Sequence, residues 1–162
     1  MEELNRFVSE FADEKIGGAI KLKNSFFLAE KELIRAKGRI RKEPFSAGLF
    51  LGETKNGRFV PGASLLDILS KKTKRKVFVG KKTEWLFLCG RDVFGRGIVK
   101  ANAKEGLVLV QNERDENLGY GKITGDLSKK DKVVIKNLFD RGSFLRREKN
   151  KAKEVSKWKK ER

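Results

Sequence analysis

Leu4, Phe7, Val8, Phe11 and Ala12 fall at i, i+3, i+4, i+7 and i+8, which puts them on one face of a helix. Glu2 and Glu3 in the first turn suit the helix dipole, and Gly17-Gly18 is the expected stop. The period then changes to two. Ala19-Ile20-Lys21-Leu22-Lys23 alternates, Asn24-Ser25 turns the chain, and Phe26-Phe27-Leu28 returns as the second arm of a hairpin. Glu30 to Ala36 predicts a helix ended by Gly38, and Pro44 marks a loop after Arg39, Arg41 and Lys42. Ala47 to Gly52 predicts a strand, Lys55-Asn56-Gly57 a hairpin turn, and Arg58-Phe59-Val60 its partner. Ser64 to Ser70, with Leu65, Leu66, Ile68 and Leu69, predicts a short helix. These elements form a small antiparallel sheet covered by helices, an α+β arrangement.

From Lys76 the pattern changes again. Short apolar runs at Val77–Val79, Trp85–Leu88, Ile98–Val99, Leu107–Val110 and Val133–Ile135 are separated by glycines and charges. They predict the strands of a small closed or half-closed β-barrel. Trp85 is expected in its core, and Cys89, closing the run Leu86-Phe87-Leu88-Cys89, is expected as a small buried residue. Ser143 onwards reads as a helix running into the tail, where Val155 and Trp158 form the last apolar pair.

Charge narrows the partner class. The 162 residues hold 39 Lys plus Arg against 22 Asp plus Glu, a formal net charge of +17. Residues 1–75 and 76–148 each carry 16 basic and 10 acidic side chains, and 149–162 carries 7 and 2. Both halves and the tail therefore favour a polyanion, since neutralising phosphates releases condensed counterions. The run Lys71–Lys76, five basic residues in six, is either a solvated join or a strip that tracks phosphates. No apolar stretch reaches the roughly 18 residues of a membrane span. Glu2, Glu3, Asp13 and Glu14 break any signal-peptide core, so an intracellular, cytoplasmic protein is expected, or a nucleolar one in a eukaryote.

Catalytic chemistry is poorly provided for. The chain has no histidine and one cysteine, which removes the usual general base, the commonest metal ligand and any internal disulfide. Gly90 to Gly97 mimics the opening of a P-loop after a strand, but Arg96 and Gly97 stand where Lys and Ser/Thr would hold phosphates and magnesium. Gly119, Gly121 and Gly125 have the wrong spacing for a dinucleotide fingerprint, and no Gly-x-Ser-x-Gly elbow occurs. Asp92, Asp126 and Asp140 form no paired motif. Asp140 before Arg141-Gly142 reads as a turn residue, with Gly142 at positive φ. No enzyme, cofactor or metal is expected. Recognition remains, with Arg91, Arg96, Arg141, Arg146, Arg147, Lys149, Lys151 and Lys153 as candidate contacts to nucleic acid. Arginine pairs bidentately with phosphate and stacks on bases. Glycines around Arg91 and Arg96 would let a phosphate backbone approach peptide N–H groups. The alternative for Arg141 is a pair with Asp140 or another carboxylate, and Phe94 and Phe144 are either core residues or platforms for unpaired bases.

The runs FVGKKTEWLFLCGRDVFGRGIVKA, NLGYGKI and NLFDRGSFLRRE, in that order, resemble a PUA domain, the RNA-binding module of pseudouridine synthases and archaeosine transglycosylases. FSAGLFLGETKNGRFVPGASLLDIL ahead of them makes residues 1–148 similar to the Nip-seven family of two-domain ribosome biogenesis factors. At the helical loop, where that family commonly has Gly-Asn-His-Val, this chain has Gly90-Arg91-Asp92-Val93. The resemblance implies an N-terminal α+β domain at 1–72 that docks a protein partner, a PUA-type mixed β pseudo-barrel at 73–148, and a basic tail at 149–162. It further implies a monomer that binds single-stranded or looped precursor ribosomal RNA alongside ribosome assembly proteins. The alternative is an RNA-targeting subunit of an RNA-modifying enzyme complex.

Overall fold

The computed structural model describes residues 1–39, 41–42 and 44–146, and divides the chain into two units, Met1–Arg75 and Lys76–Arg162. The tail readings, including Arg147, Lys149, Lys151, Lys153, Val155 and Trp158, lie outside the described residues.

In the first unit four antiparallel strands run in chain order: β1 (Ala19–Leu22), β2 (Ser25–Leu28), β3 (Leu49–Lys55) and β4 (Arg58–Pro61). Three helices accompany them, α1 (Glu2–Ser9), α2 (Lys31–Lys37) and α3 (Ala63–Lys72). Asn56 and Gly57 both take positive φ and close β3 onto β4 with Lys55 opposite Arg58, the two-residue hairpin that Asn-Gly favours. Leu4, Leu51, Leu65, Leu66, Leu69 and Phe26 are fully buried, and the Phe59 ring lies 5.4 Å from both Phe7 and Phe26. The first helix is shorter than its apolar period predicts. After Ser9 the Phe11 and Ala12 N–H groups both bond the Val8 carbonyl, and Phe11 reaches the core by packing 5.3 Å from Phe7.

The second unit is a curled six-stranded mixed sheet. Its strands are β5 (Lys76–Val79), β6 (Val93–Phe94), β7 (Ile98–Ala101), β8 (Gly106–Gln111), β9 (Asn117–Ile123) and β10 (Val133–Asp140), in the order β6-β10-β9-β8-β5-β7. Among the described residues only β5 and β8 pair in parallel. Val77, Val79, Phe87, Val108, Val110, Val134 and Ile135 fill the core of the half-barrel. Lys76 belongs to β5, and its ammonium donates to both carboxylate oxygens of Asp115 at 2.8 Å, so the last charge of the 71–76 run is already neutralised locally.

The run Trp85–Leu88 is helix, not strand. It is the second half of α4 (Lys81–Leu88), which starts after an extended Gly80. Four consecutive apolar residues are too few for periodicity to separate the two states, whereas the preceding Lys81-Lys82-Thr83-Glu84 supplies a polar first turn. Only Phe87 of α4 is fully buried. Trp85 is 66% exposed, and Cys89, at the helix end, is exposed too. Both were expected in the core because a strand would have pointed alternate residues inward.

Candidate nucleic-acid interface

Helix α4 organises the candidate residues, and its two ends differ. At the C-terminal end the helix is tied to β10 and to the helical turn 142–146. Arg146 donates through Nη1 to the Leu88 carbonyl and through Nη2 to Asp140 Oδ2 at 2.7 Å. The Asp140 side chain is 5% exposed. It is therefore a buried ion-pair partner at the end of β10 rather than the turn residue that the sequence suggests. The hydrogen bond to Asp140 also pushes the Arg146 pKa above its usual value. Asn137 adds two ties, donating Nδ2–H to the Phe87 carbonyl at 3.0 Å and its backbone N–H to Asp92 Oδ1 at 2.8 Å.

Gly142 does not take positive φ. Its lack of a side chain serves close approach instead: a Cβ there would overlap the Leu88 carbonyl oxygen. The turn 142–146 thus presses on the end of α4, and that contact lets Arg146 reach both partners. Arg91, one residue past Gly90 in the same loop, is exposed, and no ion pair engages its guanidinium among the described residues. Arg141 is half-buried, with its backbone N–H bonded to the Leu118 carbonyl at 2.9 Å.

The other end of α4 faces Phe94 and Arg96. Gly80, Lys81, Thr83, Phe94, Arg96 and Val99 are among the residues lining a groove of about 690 Å³ there. The Arg96 guanidinium stands 5.2 Å from the Phe94 ring centroid and 3.4 Å from Asp131. The P-loop likeness fails on structural context, because Gly90–Gly97 follows a helix and ends in a 3-10 turn at Gly95–Gly97. Four peptide N–H groups of this loop are already engaged within the fold. Those of Gly95 and Arg96 bond the carbonyls of Lys132 and Lys130, and those of Gly90 and Arg91 bond the carbonyls of Phe87 and Leu86.

The structure therefore separates the expected contacts, with Arg91 and Arg146 at one end of α4 and Arg96 at the other. It also brings forward residues that the sequence reading passed over. Lys81 and Lys82 stand exposed in the first turn of α4, and Lys129, Lys130 and Lys132 are exposed on the loop bonded to Gly95 and Arg96. The paired lysines after Gly80 and the Lys-Lys-Asp-Lys run were legible as charge. Their convergence on Phe94 depends on the β6–β10 pairing, which joins Phe94 to Val133 across the sheet. Among the described residues no cluster of three His, Cys, Asp or Glu side chains is placed to hold a metal ion, and no helix is long and apolar enough to cross a membrane.

Comparison with known proteins agrees with this architecture. Residues 75–149 match the model of the UPF0113 PUA domain. A UPF0113 protein of Archaeoglobus fulgidus is 34% identical over 113 residues, covering 65% of this chain and 64% of its own length. A 60S ribosome subunit biogenesis protein NIP7 homolog of Dictyostelium discoideum is 29% identical over 137 residues, covering 78% of this chain and 76% of its own length. The solved structure of a conserved PUA domain protein from Thermoplasma acidophilum shares the fold, with a TM-score of 0.56 at 16% identity over 87% of this chain and 90% of that one. The half-barrel carrying α4 thus matches the UPF0113 PUA domain, and the chain is similar to a UPF0113 protein and to a NIP7 homolog.

Proposed function

We propose that this protein is a non-catalytic RNA-binding factor of ribosome biogenesis that holds precursor ribosomal RNA, in single-stranded or looped form, on its PUA unit. The observation that carries the reading is the exposed cationic surface at both ends of α4, mounted on a rigid half-barrel: Arg91 at one end, and Lys81, Lys82 and Arg96 at the other. Arginines held by folded structure lose less rotamer entropy on binding phosphate than a free lysine run does. Arg141 and Arg146 extend the proposed contact surface, and Arg147, Lys149, Lys151 and Lys153 continue its charge in sequence. The ribosomal role is drawn from the NIP7 homologue, and a protein-docking role for the first unit, in the cytoplasm or nucleolus, goes with it.

The test is a titration of purified protein against a structureless RNA over a range of salt. With about five phosphates neutralised, the logarithm of the binding constant should fall with log salt at a slope of roughly −3.5, without help from divalent cations. Affinity that does not change with salt rejects the reading. Co-sedimentation of the tagged protein with immature rather than mature ribosomal subunits tests the assembly role.

A further inference from the structure

We infer that the groove between the first turn of α4 and the Phe94–Gly97 segment is a subsite for an unpaired RNA nucleotide, with Phe94 as the platform for its base and Lys81, Lys82 and Arg96 as the cradle for its phosphates. The inference rests on the RNA-binding reading above and adds to it a place and a recognition mode.

Four observations converge on it. The Phe94 ring is an exposed aromatic on an edge strand, 39% accessible, at the wall of a concavity rather than in the core. The groove, about 690 Å³, lies within the range of roughly 300–1,000 Å³ that encloses small ligands. Its lining carries three cationic side chains against one carboxylate, Asp92, and that carboxylate already accepts the Asn137 N–H at 2.8 Å. Finally, the 128–132 loop adds Lys129, Lys130 and Lys132 beside it, fixed in place by the backbone bonds from Gly95 and Arg96 to the carbonyls of Lys132 and Lys130.

Each feature has a counterpart in a nucleotide. An exposed aromatic face stacks any base, and flanking cations follow the backbone, the combination by which proteins hold single strands. A duplex would keep its bases out of reach of the ring. An uncharged peptide would cover the ring but leave the surrounding cations desolvated without partners.

Arg96 is poised for the exchange. Its pairing with Asp131 joins side chains that are 65% and 87% exposed, and such pairs contribute little. Moving the guanidinium from that carboxylate to a phosphate therefore costs little, and the Phe94 ring keeps it oriented meanwhile.

The experiment compares two labelled pentamers at one salt concentration, pentaadenylate and an abasic ribose-phosphate strand of equal charge, against the full-length chain. Wild type should bind pentaadenylate more tightly. Phe94→Leu keeps an apolar side chain on β6 but removes the ring, and should weaken pentaadenylate binding about fivefold or more while leaving the abasic strand unchanged. Phe94→Trp should keep the preference. Lys81→Gln with Lys82→Gln should weaken both strands alike. Thermal melts confirm that each variant is folded, and Phe94→Trp guards against misreading a packing defect. If wild type prefers pentaadenylate and Phe94→Leu binds it equally well, the subsite is wrong while RNA binding stands. If wild type binds neither strand, both readings fall together.

Discussion

Arg146 and Asp140 are joined by a 2.7 Å ion pair that closes the end of α4 against β10, and the same guanidinium donates to the Leu88 carbonyl. Asp140 is buried, whereas the Arg146 side chain is 42% exposed, so the pair is screened on one side only. Removing one partner of a fully buried pair costs about 3–5 kcal/mol, and this half-exposed geometry brings the expected loss down to roughly 1–3 kcal/mol. Arg146→Ala and Asp140→Asn should each lower stability by that amount in urea unfolding. Arg146→Lys should recover little of it, because a lysine ammonium lacks the planar fork that reaches both acceptors. Full recovery by lysine would show that charge alone accounts for the interaction.

The clamp alters how RNA-binding mutants must be read. Arg146 is engaged within the fold, so its loss perturbs the 88–91 loop as well as any contact to phosphate. Arg91 in that loop is exposed, and the peptide around it is fixed by its own bonds to Leu86 and Asn137. Arg91→Ala should therefore weaken RNA binding by about 1–2 kcal/mol if the contact is partly desolvated, with no change in melting temperature. Neutralising Lys71 and Lys72 should cost less, because the Lys72 ammonium lies 2.9 Å from Glu14 and holds that carboxyl below its usual pKa. Binding titrations of the two variants at one salt concentration make the comparison. A larger loss at Lys71 and Lys72 would move the RNA path to the first unit.

The first unit was legible almost strand by strand, because α1 buries one face at a helical period and polar turns separate the apolar arms of the two hairpins. Asn56-Gly57 added turn chemistry that few alternatives satisfy. The second unit was legible as strands wherever β-branched residues dominate, as at Val77–Val79 and Leu107–Val110. It was misread at Trp85–Leu88, where a short apolar run sits on a half-exposed helix with one buried residue, Phe87. The same misreading buried Trp85 and Cys89 on paper. The candidate site was legible as residue types and not as an arrangement. Nothing local distinguishes Arg146, folded back onto Asp140, from Arg91, which projects outward, since the difference arises from the close approach of Gly142 to Leu88.

That close approach is itself testable. A methyl group at position 142 would overlap the Leu88 carbonyl oxygen, which belongs to backbone and has little freedom to move aside. Gly142→Ala should force the helical turn away from α4 and cost about 1–3 kcal/mol, in the range of overpacking. Because the shift carries Arg146 off Leu88 and Asp140, the loss should be less than additive with Arg146→Ala in the double mutant. Strict additivity would mean that the glycine and the clamp act independently.

Tyr120 is the chain's one tyrosine, which makes its titration a clean report on the outer face of β9 and β10. Its ring stacks on Phe139 at 6.4 Å between centroids, and Phe139 meets Phe144 edge-on at 5.9 Å. Burial disfavours the phenolate and raises the Tyr120 pKa above its usual value of about 10. The folded state therefore holds the phenol proton more tightly than the unfolded chain does. The resulting stability is fully present below pH 10 and is lost as pH rises through the folded-state pKa. Absorbance at 295 nm should show a midpoint above that of the same protein in urea. Phe144→Ala opens the aromatic stack from its exposed end, so it should move the native midpoint back toward the urea value. Coincident midpoints in native and unfolded wild type would show that the phenol is solvated and that the Tyr120–Phe139–Phe144 stack does not form in solution.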